Sequence, residues 1–217
     1  AAFTISCAGF SQSSDFRKLE SEINSKIGQG QWDQVLLLAT DLLIEEPGRG
    51  EGYYYTALAF YKQAHYDKAA EYLAQAVPVA DAALNTKISE LNEQINTDKE
   101  GEILLASAEN LISSGNSLAA AEDFRKAWEL DKTNVSSALS AVELFLEREN
   151  YEAALAILND PSLSRDPGAR ALVEKINQTP HMQQVNGYNA AMSQGQEHLN
   201  QRNFGLAVSM FEKALSF

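Results

Sequence analysis

Catalysis needs groups that ionise, attack or coordinate, and in this 217-residue chain they are few and scattered. His65, His181 and His198 are far apart and lack local metal-ligand spacing, so each reads as a structural or exposed histidine rather than a ligand or base. His65 falls in a turn and His198 at a packing position. Gly28-Gln29-Gly30 has no following Lys-Ser/Thr and no preceding strand, which makes it a helix-ending turn and not a phosphate loop. Glu45-Glu46 is a solvated helix end. Asn134-Val135-Ser136 and Asn177-Gln178-Thr179 match the glycosylation sequon, a pattern short enough to arise by accident. Cys7 is the only cysteine and cannot pair within the chain. Its small neighbours make it a candidate lipidation site, although Thr4-Ile5-Ser6 fits a bacterial lipobox poorly; the alternative is an unremarkable free thiol. The sequence therefore implies no catalytic residue, no metal and no cofactor.

What remains is surface. Seventeen Lys and Arg stand against 30 Asp and Glu, a net charge of −13 that repels phosphate backbones, so no nucleic-acid partner is expected. The acidity serves solubility or a basic ligand. No window reaches the roughly 18 to 20 apolar residues of a membrane span; Leu36–Leu38 and Leu42–Ile44 are interrupted by Thr40 and Asp41. The opening Ala1–Phe10, followed by polar Ser11–Asp15, resembles the tail of a secretion signal without its initial Met and basic leader. That favours a bacterial periplasmic or cell-envelope location over the cytoplasm.

The elements that position this surface come from a repeat. Tyr66-Asp-Lys-Ala69-Ala-Glu-Tyr-Leu73 and Tyr151-Glu-Ala-Ala154-Leu-Ala-Ile-Leu158 share an aromatic, an Ala three residues on, and a large apolar residue four further. The spacing recurs from Trp32 (Val35, Ala39), Ser117 (Ala120, Phe124) and Phe204 (Ala207, Phe211). Nine residues before each start stand Ile23, Ala57, Ala108, Val142 and Gly195, mostly small. Six before the last four stand Phe60, Leu111, Phe145 and His198, mostly bulky. This pattern resembles the tetratricopeptide repeat, a 34-residue helix-turn-helix unit. The departures are Ile23 at a small position, Ser117 at an aromatic one, and the lack in most copies of the terminal proline that the first has as Pro47. The resemblance implies an all-α fold, a right-handed α-α superhelix of stacked helix pairs.

Starts 32 and 66, and 117 and 151, lie 34 residues apart, whereas 66 to 117 is 51 and 151 to 204 is 53. The repeats therefore come in pairs with an insert between them. Shifted by 85, Ile88 falls on Val173, Leu91 on Ile176 and Asn92 on Asn177, so each insert reads as a spacer helix. The expected organisation is a signal-like or disordered segment 1–14, a repeat pair 15–80, a spacer helix 81–100, a second pair 101–161, a second spacer 162–180, and a fifth repeat 181–217. The array reads as part of a longer protein, with Leu206, Met210 and Leu215 uncovered and an end-to-end homodimer as the expected consequence.

The resemblance also implies that first helices line a concave partner-binding face. On this chain the face comprises Tyr54, Leu58 and Tyr61; Glu102, Leu105 and Glu109; Leu139, Glu143, Leu146 and Glu147; and, in the fifth repeat, Met192 and Leu199 among polar residues. An acidic and aliphatic groove suits a protein or peptide segment with basic residues. A subclass that clamps chaperone tails uses Lys and Asn on this face, where this chain has Tyr54, Leu58, Leu105 and Glu109. The function expected is a non-catalytic interaction scaffold. The alternative is a structural or self-assembling portion of a longer envelope protein whose activity lies elsewhere.

Overall fold

Five helices begin at Trp32, Tyr66, Ser117, Tyr151 and Phe204, the five starts marked by the sequence spacing. The computed structural model describes residues 14–217; Cys7 and nearly all of the N-terminal segment lie outside them. The described residues are helical, with no strand among them. They divide into two compact units, the second beginning at Gly101.

A shared turn fixes the register. Two residues before each start, Gly30, Ala64, Gly115, Glu149 and Arg202 adopt positive φ, between 55° and 79°. The next amide donates back across the turn, as His65 N to Phe60 O at 2.9 Å, Asn116 N to Leu111 O at 2.8 Å and Asn203 N to His198 O at 2.8 Å. These are Schellman closures, which satisfy carbonyls left open at the end of a helix. Ala64, Glu149 and Arg202 hold the left-handed conformation without glycine, at a cost of about 1 kcal/mol each. Asn116 and Asn150 then cap the following helices, accepting from Ala119 N and Ala153 N.

The first unit contains α1 (Ser14–Gly28), α2 (Trp32–Glu45), α3 (Gly50–Lys62), α4 (Tyr66–Ala76) and the N-terminal part of α5 (Ala82–Ser113). Successive helices from α1 to α4 pack on one another. Phe16, Ile23, Val35, Ala39, Leu42, Tyr55 and Ala59 form one buried cluster. A second joins Ala57, Ala69 and Leu73 to Leu84, Ile88, Leu91 and Ile95 of α5. Those four α5 residues are spaced 4, 3 and 4 apart, which places them on one helical face.

The second unit continues with the rest of α5, then α6 (Ser117–Leu130), α7 (Val135–Glu147), α8 (Tyr151–Leu158), α9 (Pro167–Asn177), α10 (Pro180–Asn200) and α11 (Phe204–Ala214). Its core runs through Trp128, Val142, Phe145, Ile157, Leu172 and Ile176. The residues nine before and three after each start meet where paired helices cross. Ala57, Ala108, Val142, Ala69, Ala120 and Ala154 are fully buried. Gly195 shows why small residues are needed there: a Cβ would lie 2.6 Å from Phe211 Cδ1.

The two inserts differ. The first is fused to the following repeat helix, so α5 is a single 32-residue helix passing through the expected junction at 100–101. The second stands apart as α9, and α10 begins anew at Pro180, with Thr179 capping it by accepting from Met182 N at 3.3 Å. Pro180 is the counterpart of Ile95 under the 85-residue shift. Proline lacks the N–H that helix continuation needs and suits a first turn, whereas isoleucine continues the helix.

Candidate partner-binding cleft

On α7, Glu143, Leu146 and Glu147 lie at i, i+3 and i+4, so the helix presents them on one face. Tyr151 opens α8, Lys175 and Ile176 come from the last turn of α9, and Thr179 follows at the cap of α10. Together these seven residues line a cleft of about 280 Å³. Ile176 is fully buried and Leu146 half-buried, giving an apolar floor; Glu143, Glu147 and Lys175 are exposed at the rim. His181 stacks on Tyr151 with ring centroids 5.3 Å apart and planes 14° from parallel. The Thr179 hydroxyl is committed locally, donating to Ile176 O at 2.7 Å. Two carboxylates one turn apart on α7 repel each other modestly, by a few tenths of a kcal/mol, and a bound cation relieves that.

No known family model matches the chain, and no curated protein matches it. What the cleft can do follows from its own chemistry. Its volume, at the lower edge of the roughly 300 to 1,000 Å³ of small-molecule sites, accommodates one or two side chains. An apolar floor beneath a carboxylate pair suits a Lys or Arg side chain, whose aliphatic stem packs while its head meets the acids.

The other residues of the expected groove fall elsewhere. Tyr54, Leu58 and Tyr61 pack, half-buried, against the cluster formed with α5. Tyr61 Oη donates to Asp98 at 2.8 Å, and Lys99 pairs with Asp67 at 2.6 Å, fastening α5 to α3 and α4. Burial first, then the bond to Asp98, pushes the Tyr61 hydroxyl up to about 12. Burial, helped by Glu90, also raises Tyr54. The inserted helix thus lies against the face that was expected to receive a partner in the second repeat. Leu139 is likewise approached by α9, where a Cβ on Gly168 would stand 2.8 Å from Leu139 Cδ1. Glu102 and Glu109 are exposed on α5 and Leu105 is half-buried, but none of them joins the cleft.

Tyr151, Lys175, Ile176 and Thr179 line the cleft without belonging to the groove expected from the sequence. Ile176 aligns with Leu91 in the repeated insert, whereas the lysine beside it falls on Glu90. Among the described residues no cluster of three His, Cys, Asp or Glu could hold a metal ion. None of the helices there is long and apolar enough to cross a membrane.

Proposed function

We propose that this chain is a non-catalytic scaffold of the tetratricopeptide type, its five hairpins stacking as right-handed superhelical repeats, and that it holds a basic protein segment in the α7–α8–α9 cleft. The observation that carries the reading is the convergence of Glu143 and Glu147 over the apolar floor of Leu146 and Ile176. The recurring Schellman turns support the repeat assignment, because five hairpins closed in the same way at the same sequence offset indicate one unit copied.

The test is fluorescence anisotropy with a labelled peptide alternating Lys or Arg with Leu, read against Glu143→Lys combined with Glu147→Lys. The expected result is at least a tenfold loss of affinity in the variant, with wild-type binding that weakens as salt rises. Both side chains are exposed, so thermal stability should barely change. Equal binding by the two proteins would refute the cleft as the site.

A further inference from the structure

The cleft of the second unit has a counterpart in the first, and under the 85-residue shift the two can be set residue against residue. Leu58 stands for Glu143, Tyr61 for Leu146 and Lys62 for Glu147; of the positions that line the cleft, only the tyrosine is the same, Tyr66 in one unit and Tyr151 in the other. The first unit fills its corner with a cation of its own. Lys62 Nζ rests 4.8 Å from the centre of the Tyr61 ring, and that ring is tilted against Tyr66 with centroids 6.2 Å apart. In the second unit the position of that lysine holds an acid, with another acid one turn before it. Among the described residues neither Glu143 nor Glu147 is in a salt bridge.

Tyr151 obtains a ring neighbour by another route. Leu146 takes the place of the tyrosine that flanks Tyr66, and His181, in the first turn of α10, supplies the stacked ring instead. The two planes lie 14° from parallel, so the imidazole runs along the phenol and fixes its tilt. Tyr151 is half-buried and packs on the core of the second unit, while its ring also lines the cleft. An aromatic ring held from the core and by a stacked neighbour is a platform, and a flat cation suits such a platform best.

We infer that the cleft selects arginine over lysine in the segment it holds, with Tyr151 as the residue that decides. The inference rests on the reading of the cleft as a site for a basic protein segment. A guanidinium carries its donors in a rigid planar fork, so one arginine can bridge two acids a helical turn apart while its face lies on the Tyr151 ring. Its aliphatic stem packs on Leu146 and Ile176. Lysine covers the same floor, but its ammonium is a compact, strongly hydrated point charge that presents no plane to the ring and gives up its water at greater cost. Lys175 in the lining repels either cation and lowers affinity without choosing between them. His181 does not line the cleft; it is a positioning residue, acting through the ring it stacks on.

Fluorescence anisotropy with two labelled peptides tests this, one alternating Arg with Leu and the other Lys with Leu. Wild type should bind the Arg peptide about tenfold more tightly. Tyr151→Leu should bring the two affinities close together, and Tyr151→Phe, which keeps the ring, should preserve the preference. Because Tyr151 also packs on the core, the exposed His181 supplies a variant that spares the fold: His181→Ala should narrow the ratio and His181→Phe restore it. Glu143→Lys combined with Glu147→Lys should weaken both peptides and erase the preference. Equal affinities in wild type overturn arginine selectivity and leave the cleft as the site. So does a ratio that neither Tyr151→Leu nor His181→Ala changes. Wild-type binding that the double charge reversal leaves untouched overturns the cleft and the selectivity together.

Discussion

The two inserts began as copies of one pattern and ended as different structures. In the first, Leu84, Ile88, Leu91 and Ile95 run down one face and α5 continues without interruption into the next repeat. In the second, Ala169, Leu172 and Ile176 do the same packing, but the helix stops and restarts at Pro180. Both cover the repeat that precedes them. The second leaves a cleft between α7 and the end of α9, with Lys175 and Thr179 in its lining; in the first, the counterparts Glu90 and Gln94 border a hollow along α5, and Tyr61–Asp98 and Lys99–Asp67 fasten the helix one turn further on. Proline against isoleucine at this point decides whether the helix restarts or runs on.

The most severe way to break the contrast is Ile95→Pro, which gives the first insert the residue of the second. It removes a helical hydrogen bond and a fully buried side chain, so chemical denaturation should show a loss of about 3 kcal/mol or more. An unchanged midpoint would mean that α5 does not depend on continuity at this point. A milder probe is Thr179→Ala, which removes the cap that lets α10 start where it does. The expected cost is about 1 kcal/mol by the same measurement, together with weakened peptide binding at the adjoining cleft.

Alkaline titration sharpens the comparison with the smallest effect. The Tyr61 hydroxyl is raised to about 12 in the folded chain, against an ordinary value of 10.0. The stabilisation is fully present below pH 10 and is lost as pH climbs through about 12, because the unfolded chain releases this proton first. Tyr61→Phe should therefore lose less stability than wild type across that window, as followed by thermal melts. Identical pH profiles would show that the tyrosine contact contributes nothing to holding the first insert. The second insert has no tyrosine in that role.

Much of the helix register was legible because it is local. An aromatic, a small residue three on and a large one four further define a helical face, and all five second helices start where that spacing places them. The residues at helix crossings, such as Ala57, Ala108 and Ala154, were equally readable, since only small side chains allow close approach. The turns were half legible: Gly30 and Gly115 announce a left-handed residue, while Ala64, Glu149 and Arg202 carry no such mark. The fusion of the first insert is not legible in the matched residues 88–92 and 173–177, because it turns on Ile95 against Pro180 just beyond them.

By itself the sequence determined the helical periodicity, the spacing of the hairpins, the small residues at their crossings and the charge balance, all properties of neighbouring residues on one helix. Only the tertiary structure decided which faces stay open. Tyr54, Leu58 and Tyr61 are covered because α5 packs against them from thirty or more residues away; Glu143 and Glu147 are left free over Leu146 because α9 ends beside them. The physical reason is that helix formation follows local torsions and hydrogen bonds, whereas exposure depends on which distant apolar stripe arrives to exclude water.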